Sequence, residues 1–350
     1  MNFVMADFNE LHAHLNGSIS FNTISKLQAL YGSESEVFTR ETALRNNLML
    51  QKPATMEEVF KIFPLIHSLT TTRNSIITAN YLFDSILFIV IKVTKDVIKE
   101  FSDDGVIYLE LRSTPRASAE LSKEQYVEAI VDGIIEASKE SMTVTRLLLS
   151  IDRGQSFESA EETVRLAATD KSGLIVGIDL SGNPSLDGRK FLPLLQKARE
   201  SGLKVAVHLA EVDHQLDEVN DFLEFKPDRI GHGTFLHTQE ASVKTIVREK
   251  IPLEICLTSN VMSMTTSSIA DSHLRFWMKH SVPFCICTDD KGVMNCELSS
   301  ELWKASVAFN LSMSDLWKLS ADALQMSFLE KTSDDYVKLE ELLKPHQCKS

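Results

Sequence analysis

Cysteine is scarce and unpatterned in this chain: Cys256, Cys285, Cys287, Cys296 and Cys348 are the only five, and no two form a CxxC pair. An odd set so spaced fits neither a disulfide framework nor a thiolate zinc cluster, and it implies free thiols. Positive charge is also short, with 36 basic against 49 acidic side chains and a net charge of -13. That sign excludes partners bound by neutralising many phosphates or anionic lipids, so neither a nucleic-acid polymer nor a membrane is expected. A small phosphorylated ligand stays open, because one phosphate needs only a few local donors. Residues 1–10 carry acids and no signal-like apolar stretch. The longest apolar run, 86–91, has six residues, far short of the ~20 that cross a bilayer. Internal repeats, low-complexity tracts and the GxxxxGK and GxGxxG phosphate cradles are missing too. These absences predict a cytosolic protein acting on a small molecule, and a monomer is the expected state.

The chain has 350 residues, a length that suits two domains or one large α/β barrel. Short apolar, β-branched runs fall at 9–14, 106–111, 146–151, 175–180, 204–209, 229–231, 252–257 and 283–287. Stretches with helical spacing separate most of them, notably 123–140, 160–168, 190–201 and 238–249. Strands alternating with helices require a parallel sheet, and eight such units close a TIM (β/α)8 barrel. The alternative is an open doubly wound sheet. With no linker in sight, residues 1–350 read as one barrel domain ending in a helix and tail over 330–350. Segment 18–104 is too long for one connecting helix and reads as a helical insertion covering the barrel mouth. Its apolar run 86–91, with Leu82, Phe83 and Val93 nearby, is heavier than a lid requires.

A barrel places its chemistry at the C-terminal ends of its strands. The residues there are His12 and His14, Arg112, Asp152, Asp179 with Ser181 and Gly182, His208 with Glu211, His232, and Asp289 with Asp290. Histidines at i and i+2 on a strand share a face, so His12 and His14 can hold one ion together. With His208 and Asp289 they make three imidazoles and one carboxylate, a set that suits zinc. Glu211 reads either as a half-buried carboxyl kept protonated by desolvation or as an exposed acid at a helix start. His232, between Gly231 and Gly233, is either a proton acceptor or a satisfied core histidine. Adjacent strand residues point opposite ways, so Asp289 and Asp290 would divide the work, one on the ion and one on substrate. Cys285 and Cys287 read as small packing residues. His214, His237, His273, His280 and His346 have no partner at useful spacing, and His67 in the insertion is ordinary for a surface helix.

The segments His12-Ala13-His14-Leu15-Asn16-Gly17-Ser18, Asp179-Leu180-Ser181-Gly182, His208-Leu209-Ala210-Glu211, Arg229-Ile230-Gly231-His232-Gly233 and Thr288-Asp289-Asp290 together resemble the adenosine/AMP deaminase family of zinc-dependent barrel hydrolases. Within it, the chain is most similar to the adenosine deaminase-like branch acting on N6-methyl-AMP. Asn16, Leu69-Thr70-Thr71-Thr72, the stretch from Glu110 to Arg116, Leu257-Thr258-Ser259-Asn260 and Lys291-Gly292 suggest that branch. Lys291 departs from the broader signature, where Pro is usual. The resemblance implies one Zn²⁺ on His12, His14, His208 and Asp289. It implies that His232 takes a proton from water on zinc and orients the hydroxide for attack on purine carbon 6, while Glu211 protonates nitrogen 1. Asp290 would bond nitrogen 7, and the Gly182 backbone nitrogen 3. Asn16, a neutral amide, would suit a nearby phosphate, with His67, Thr71 and Thr72 as further candidates and His14 also facing substrate. The expected reaction converts N6-methyl-AMP to IMP and methylamine. The alternatives are an adenosine or AMP deaminase releasing ammonia, and a purine-nucleotide-binding barrel without turnover.

Overall fold

The computed structural model describes residues 7–31, 50, 52–71, 86–119 and 121–347. Its strands are β1 (Phe8–His14), β2 (Val106–Ser113), β3 (Val144–Asp152), β4 (Ile175–Ser181), β5 (Lys204–Leu209), β6 (Arg229–His232), β7 (Leu253–Ile255) and β8 (Phe284–Ile286). All eight lie parallel and pair in chain order. Each falls on one of the eight runs read from the sequence. The seam between the last and first strands closes through a bridge of Ala13 with Asp289: Asp289 N donates to His12 O and His14 N to Asp289 O, both at 2.9 Å. The architecture is the TIM barrel.

Strands buried on both faces need apolar side chains outside and tightly packed groups inside. On β3, Leu147, Leu149 and Ile151 face the helical layer, while Leu148 joins Ala206 and Phe328 in a separate cluster. Phe328 follows the helix Met313–Met326 and lies against Gly177, where an added Cβ would come within 3.0 Å of its ring. The chain's end thereby plugs the N-terminal end of the barrel. The helix Asp334–Gln347 follows.

The insertion divides into two kinds of structure. Short helices α2 (Met56–Phe60) and α3 (Phe63–Thr71), preceded by α1 (Phe21–Tyr31), lie on the mouth side. Helix α4 (Ile86–Asp103) is not part of a lid: Ile86, Ile89, Val90, Val93 and Val97 are buried, and it packs against β2 and the helix Lys123–Ala137. The heavy apolar run is therefore the face of a barrel-layer helix, which corrects the expectation that 18–104 covers the mouth throughout. Leu82 and Phe83 lie outside the described residues. No helix among the described residues is long and apolar enough to cross a membrane.

The loops after β1 and β8 interlock, with Gly292 N and Val293 N both donating to Gly17 O, at 2.9 and 3.0 Å. A Cβ on Gly292 would sit 2.2 Å from Ile19 O, a backbone atom that cannot swing away. Gly292→Ala should therefore destabilise the chain by about 1–3 kcal/mol through overpacking. A urea unfolding midpoint unchanged from wild type would contradict this.

Candidate active site and metal centre

The strand ends converge four side chains whose ligand atoms lie within 4.8 Å of one another: His12, His14, His208 and Asp289. His14 Nε2 is 3.3 Å from His12 Nε2 and 3.2 Å from His208 Nε2. Asp289 Oδ1 is 3.2 Å from His12 Nε2 and 3.4 Å from His14 Nε2. A tetrahedral ion with bonds of about 2.05 Å keeps neighbouring ligand atoms roughly 3.3 Å apart. Four of the six ligand pairs already have that spacing. Burial drives the His14 pKa down to about 3, which leaves its ring a lone pair to donate. Burial and Arg112 oppose a charge on His12, yet hydrogen bonds to Asp289 and Glu254 prevail and push it up to about 10. The carboxylates thus call for a positive charge at this point, and a divalent cation would supply it. Cys256 falls in an overlapping group with His12, His232 and Asp289. Burial and the nearby carboxylates hold its thiol well above the usual range, so it is the poorer ligand.

Behind two of these histidines stand carboxylates the sequence reading did not single out for that task. Glu254 Oε2 lies 2.8 Å from His12 Nδ1, and Asp179 Oδ1 lies 3.1 Å from His208 Nδ1. Such partners fix a ring's tautomer and orientation. Arg112 bridges them, at 2.9 Å to Asp179 and 2.5 Å to Glu254. Arg229 holds the other oxygen of Glu254 at 2.6 Å and reaches Glu110 at 2.5 Å. Every one of these side chains is fully buried. Against the pull of burial, His208 and Arg112 hold Asp179 well below the ordinary carboxylate range. A charged residue inside an apolar strand run, as at Glu110, Arg229 and Glu254, is the signal that could have found this network.

On the pocket side, Glu211 Oε1 faces His232 Nε2 at 3.8 Å, and Asp289 Oδ2 faces the same nitrogen at 3.7 Å. Burial lowers the His232 pKa, so the ring stays neutral. Asp289 and Asp290 lie beyond β8, and Asp289 has φ +64. Strand alternation is therefore not what separates the two carboxyls; a left-handed turn does. Asp290 is buried, and its Oδ1 has no partner among the described residues. Burial and then the neighbouring Asp289 hold it well above the usual carboxylate range, in the protonated form.

These groups open on one cavity, whose wall includes His14, Asn16, Gly182, Glu211, His232 and Asp290. Met56, Val59, Phe60 and Phe63 supply an apolar side from α2 and α3. His67 also lines it, and burial followed by Arg116 pushes its pKa down to about 3. Asn16 Nδ2 donates to Tyr126 Oη at 3.1 Å, and Thr70 Oγ1 donates to Asn16 Oδ1 at 3.2 Å. The threonine reaching this amide is Thr70; Thr71 ends α3, and Thr72 lies outside the described residues. A larger cavity opens at the opposite end of the strands, beside Lys204, Phe284 and the helix Met313–Met326, but no histidine lines it.

Four histidines read as partnerless have partners in the fold: His214 Nε2 lies 2.9 Å from Ser185 Oγ, and His280 Nδ1 2.9 Å from Phe276 O. His273 Nε2 and His237 Nδ1 each lie 2.9 Å from a backbone oxygen of the loop after β6, those of His232 and Thr234. Cys285 and Cys287 are buried packing groups, with sulfurs 3.5 Å apart.

The adenosine deaminase family model matches residues 8–343. N6-Methyl-AMP deaminase-L of Xenopus laevis is 43% identical over 350 residues, covering 96% of this chain and 93% of that protein. The N6-methyl-AMP deaminase of Homo sapiens is 42% identical over 330 residues, covering 91% and 88%. The solved ADAL–IMP complex superposes with a TM-score of 0.86 at 35% identity, covering 99% of this chain and 98% of that one.

Arg112 is the shared counter-charge of Asp179 and Glu254. Arg112→Met should leave two buried carboxylates unbalanced and destabilise the protein by about 3–5 kcal/mol. Urea unfolding measures this, and a loss under about 1 kcal/mol would show the pairing to be dispensable.

Proposed function

The chain belongs to the adenosine deaminase family, and from that premise we propose that it hydrolyses N6-methyl-AMP to IMP and methylamine on a zinc centre. The observation that carries this reading is the clustering of three imidazole nitrogens and a carboxylate within 4.8 Å of one another, beside a facing carboxyl–imidazole pair. His12, His14, His208 and Asp289 would hold the ion. Zinc bound there would lower the pKa of a water from its bulk value toward ~7.

The protein's own groups then move the protons. His232, kept neutral by burial, takes one from the water and holds the oxygen toward purine carbon 6. Glu211, across the cavity from His232, gives one to ring nitrogen 1, so carbon 6 can accept electrons without full negative charge building on the ring. The water oxygen bonds to carbon 6, then the bond from carbon 6 to the exocyclic nitrogen breaks and the amine leaves with the proton His232 received, while the hydroxyl on carbon 6 returns its proton to Glu211 as the carbonyl forms. A protonated Asp290 is a donor and meets the lone pair of ring nitrogen 7, while Gly182 offers its backbone to nitrogen 3. His14 both ligates the ion and lines the substrate cavity.

Nucleotide preference rests on the far end of the cavity. Asn16 presents an amide where a carboxylate would repel phosphate. Arg116, with no ion-pair partner among the described residues, adds a guanidinium, and His67, Ser113 and Thr114 stand beside it. Thr71 and Thr72 remain candidates on α3 and beyond it. Free thiols fit a cytosolic protein, and a monomer is the state assumed for it.

Glu211→Gln should retain zinc and lose about 10²–10⁴-fold in turnover. Metal analysis and kcat together check this, and unchanged turnover would remove Glu211 as the acid. Wild-type enzyme should prefer N6-methyl-AMP over AMP and adenosine, and Arg116→Met should raise KM for the nucleotide about 10-fold or more. A preference for adenosine over both nucleotides would overturn the substrate assignment.

A further inference from the structure

The sequence offers His273 no partner; the fold gives it the backbone of His232. His273 precedes the helix Leu274–Lys279, is buried, and takes no part in the cavity wall. Its Nε2 lies 2.9 Å from His232 O. A carbonyl oxygen only accepts, so Nε2 carries the hydrogen and Nδ1 keeps a lone pair. Burial drives the ring's pKa to about 3, so it stays neutral. The His237 ring stacks on it, with centroids 6.3 Å apart and planes 18° apart, and the carbonyl of Thr234 sits 2.9 Å from His237 Nδ1. A pair of stacked imidazoles thus grips two carbonyls of a single turn.

That turn is strained. His232 has φ +59 and Gly233 φ +62. A non-glycine residue stays in the left-handed region only where its surroundings over-determine it. The direction of the His232 side chain follows from this backbone, and a rotated peptide plane after His232 would carry Nε2 away from Glu211 and Asp289, which it now faces at 3.8 and 3.7 Å.

We propose that His273 is a positioning residue for the deamination: by donating its Nε2–H to the carbonyl of His232, it holds the left-handed turn that aims the His232 ring between Glu211 and Asp289. The proposal rests on the reading of His232 as the proton acceptor.

His273→Met keeps bulk without a donor, and His273→Gln restores an N–H at similar reach. On N6-methyl-AMP, His273→Met should lose about 10–100-fold in kcat, as small misplacements of reacting groups do, with KM within about two-fold. His273→Gln should recover most of that loss, and metal content should be unchanged in both. Wild-type kcat in His273→Met, or equal losses in both variants, overturns the proposal, the latter marking a packing role. His232→Ala measured alongside separates the two readings: if it turns over normally, the role of His232 falls, and if it fails while His273→Met works, only the positioning role falls. Should both His273 variants unfold, the ¹⁵N spectrum of the wild-type histidines decides. An Nε2–H tautomer at His273 is expected, and an Nδ1–H tautomer overturns the proposal.

Discussion

Two guanidinium groups held among three carboxylates inside the barrel are the constraint on which the rest of the site depends. Arg112 joins Asp179 to Glu254, and Arg229 joins Glu254 to Glu110. An isolated buried charge costs several kcal/mol, so none of these groups can leave without stranding another. The network is consequently rigid, and its rigidity is delivered to the rings of His12 and His208 through Glu254 and Asp179. It also reaches the far end of the barrel. Arg229 donates to Met326 O at 2.9 Å, its guanidinium lies 3.6 Å from the centre of the Phe328 ring, and Phe328 N donates to Glu110 at 2.6 Å. Proposed metal ligands at one end and the terminal plug at the other belong to one set of bonds.

Backbone geometry supplies the second half of the site. Ala210, His232 and Asp289 all have positive φ, at +51, +59 and +64. Each stands just past or at the end of its strand, and each turns the chain so that Glu211, the His232 ring and the paired aspartates face one space. A left-handed L-residue costs roughly 1–2 kcal/mol, and identifiable bonds offset it. Phe235 N donates to Ala210 O, His12 O and His14 N grip the Asp289 backbone, and His273 meets His232 O. Barrel closure and ligand placement coincide at Asp289, because its backbone makes the seam while its carboxylate faces the histidines.

Much of this was legible because it is periodic. All eight strands announce themselves as short apolar runs, and the strand-end rule points to His12, His14, His208, Glu211, His232 and Asp289. What failed was local geometry. The alternation argument for Asp289 and Asp290 needs a strand running through both, whereas β8 ends at Ile286. The run at 86–91 is heavier than a lid requires because its apolar face is that of a barrel-layer helix. His273 was illegible for a different reason: its partner is a carbonyl, and backbone acceptors leave no mark on residue type. The charge network was visible in part, since Glu110, Arg229 and Glu254 interrupt apolar runs, but nothing in a single sequence says which charge meets which across the barrel.

Lys291, the residue departing from the broad family signature, shows how far a sequence difference can mislead about ligand recognition. A lysine directly after two cavity-lining carboxylates invites assignment to the phosphate. Its ammonium instead lies 3.8 Å from Glu100, 3.9 Å from Glu297 and 5.7 Å from the centre of the Phe101 ring, on the side of α4. Glu100 in turn accepts from Ser20 and Thr23, at 2.6 and 3.2 Å. Lys291 therefore ties the loop carrying Asp290 to α4 and to the start of α1, and it takes no part in the cavity wall. With this cation committed elsewhere and Arg112 held by carboxylates, Arg116 is the remaining guanidinium on that wall. A nucleotide's phosphate would be met by this one cation and neutral donors such as Asn16, which suits a chain whose net charge of -13 offers no general attraction to polyanions.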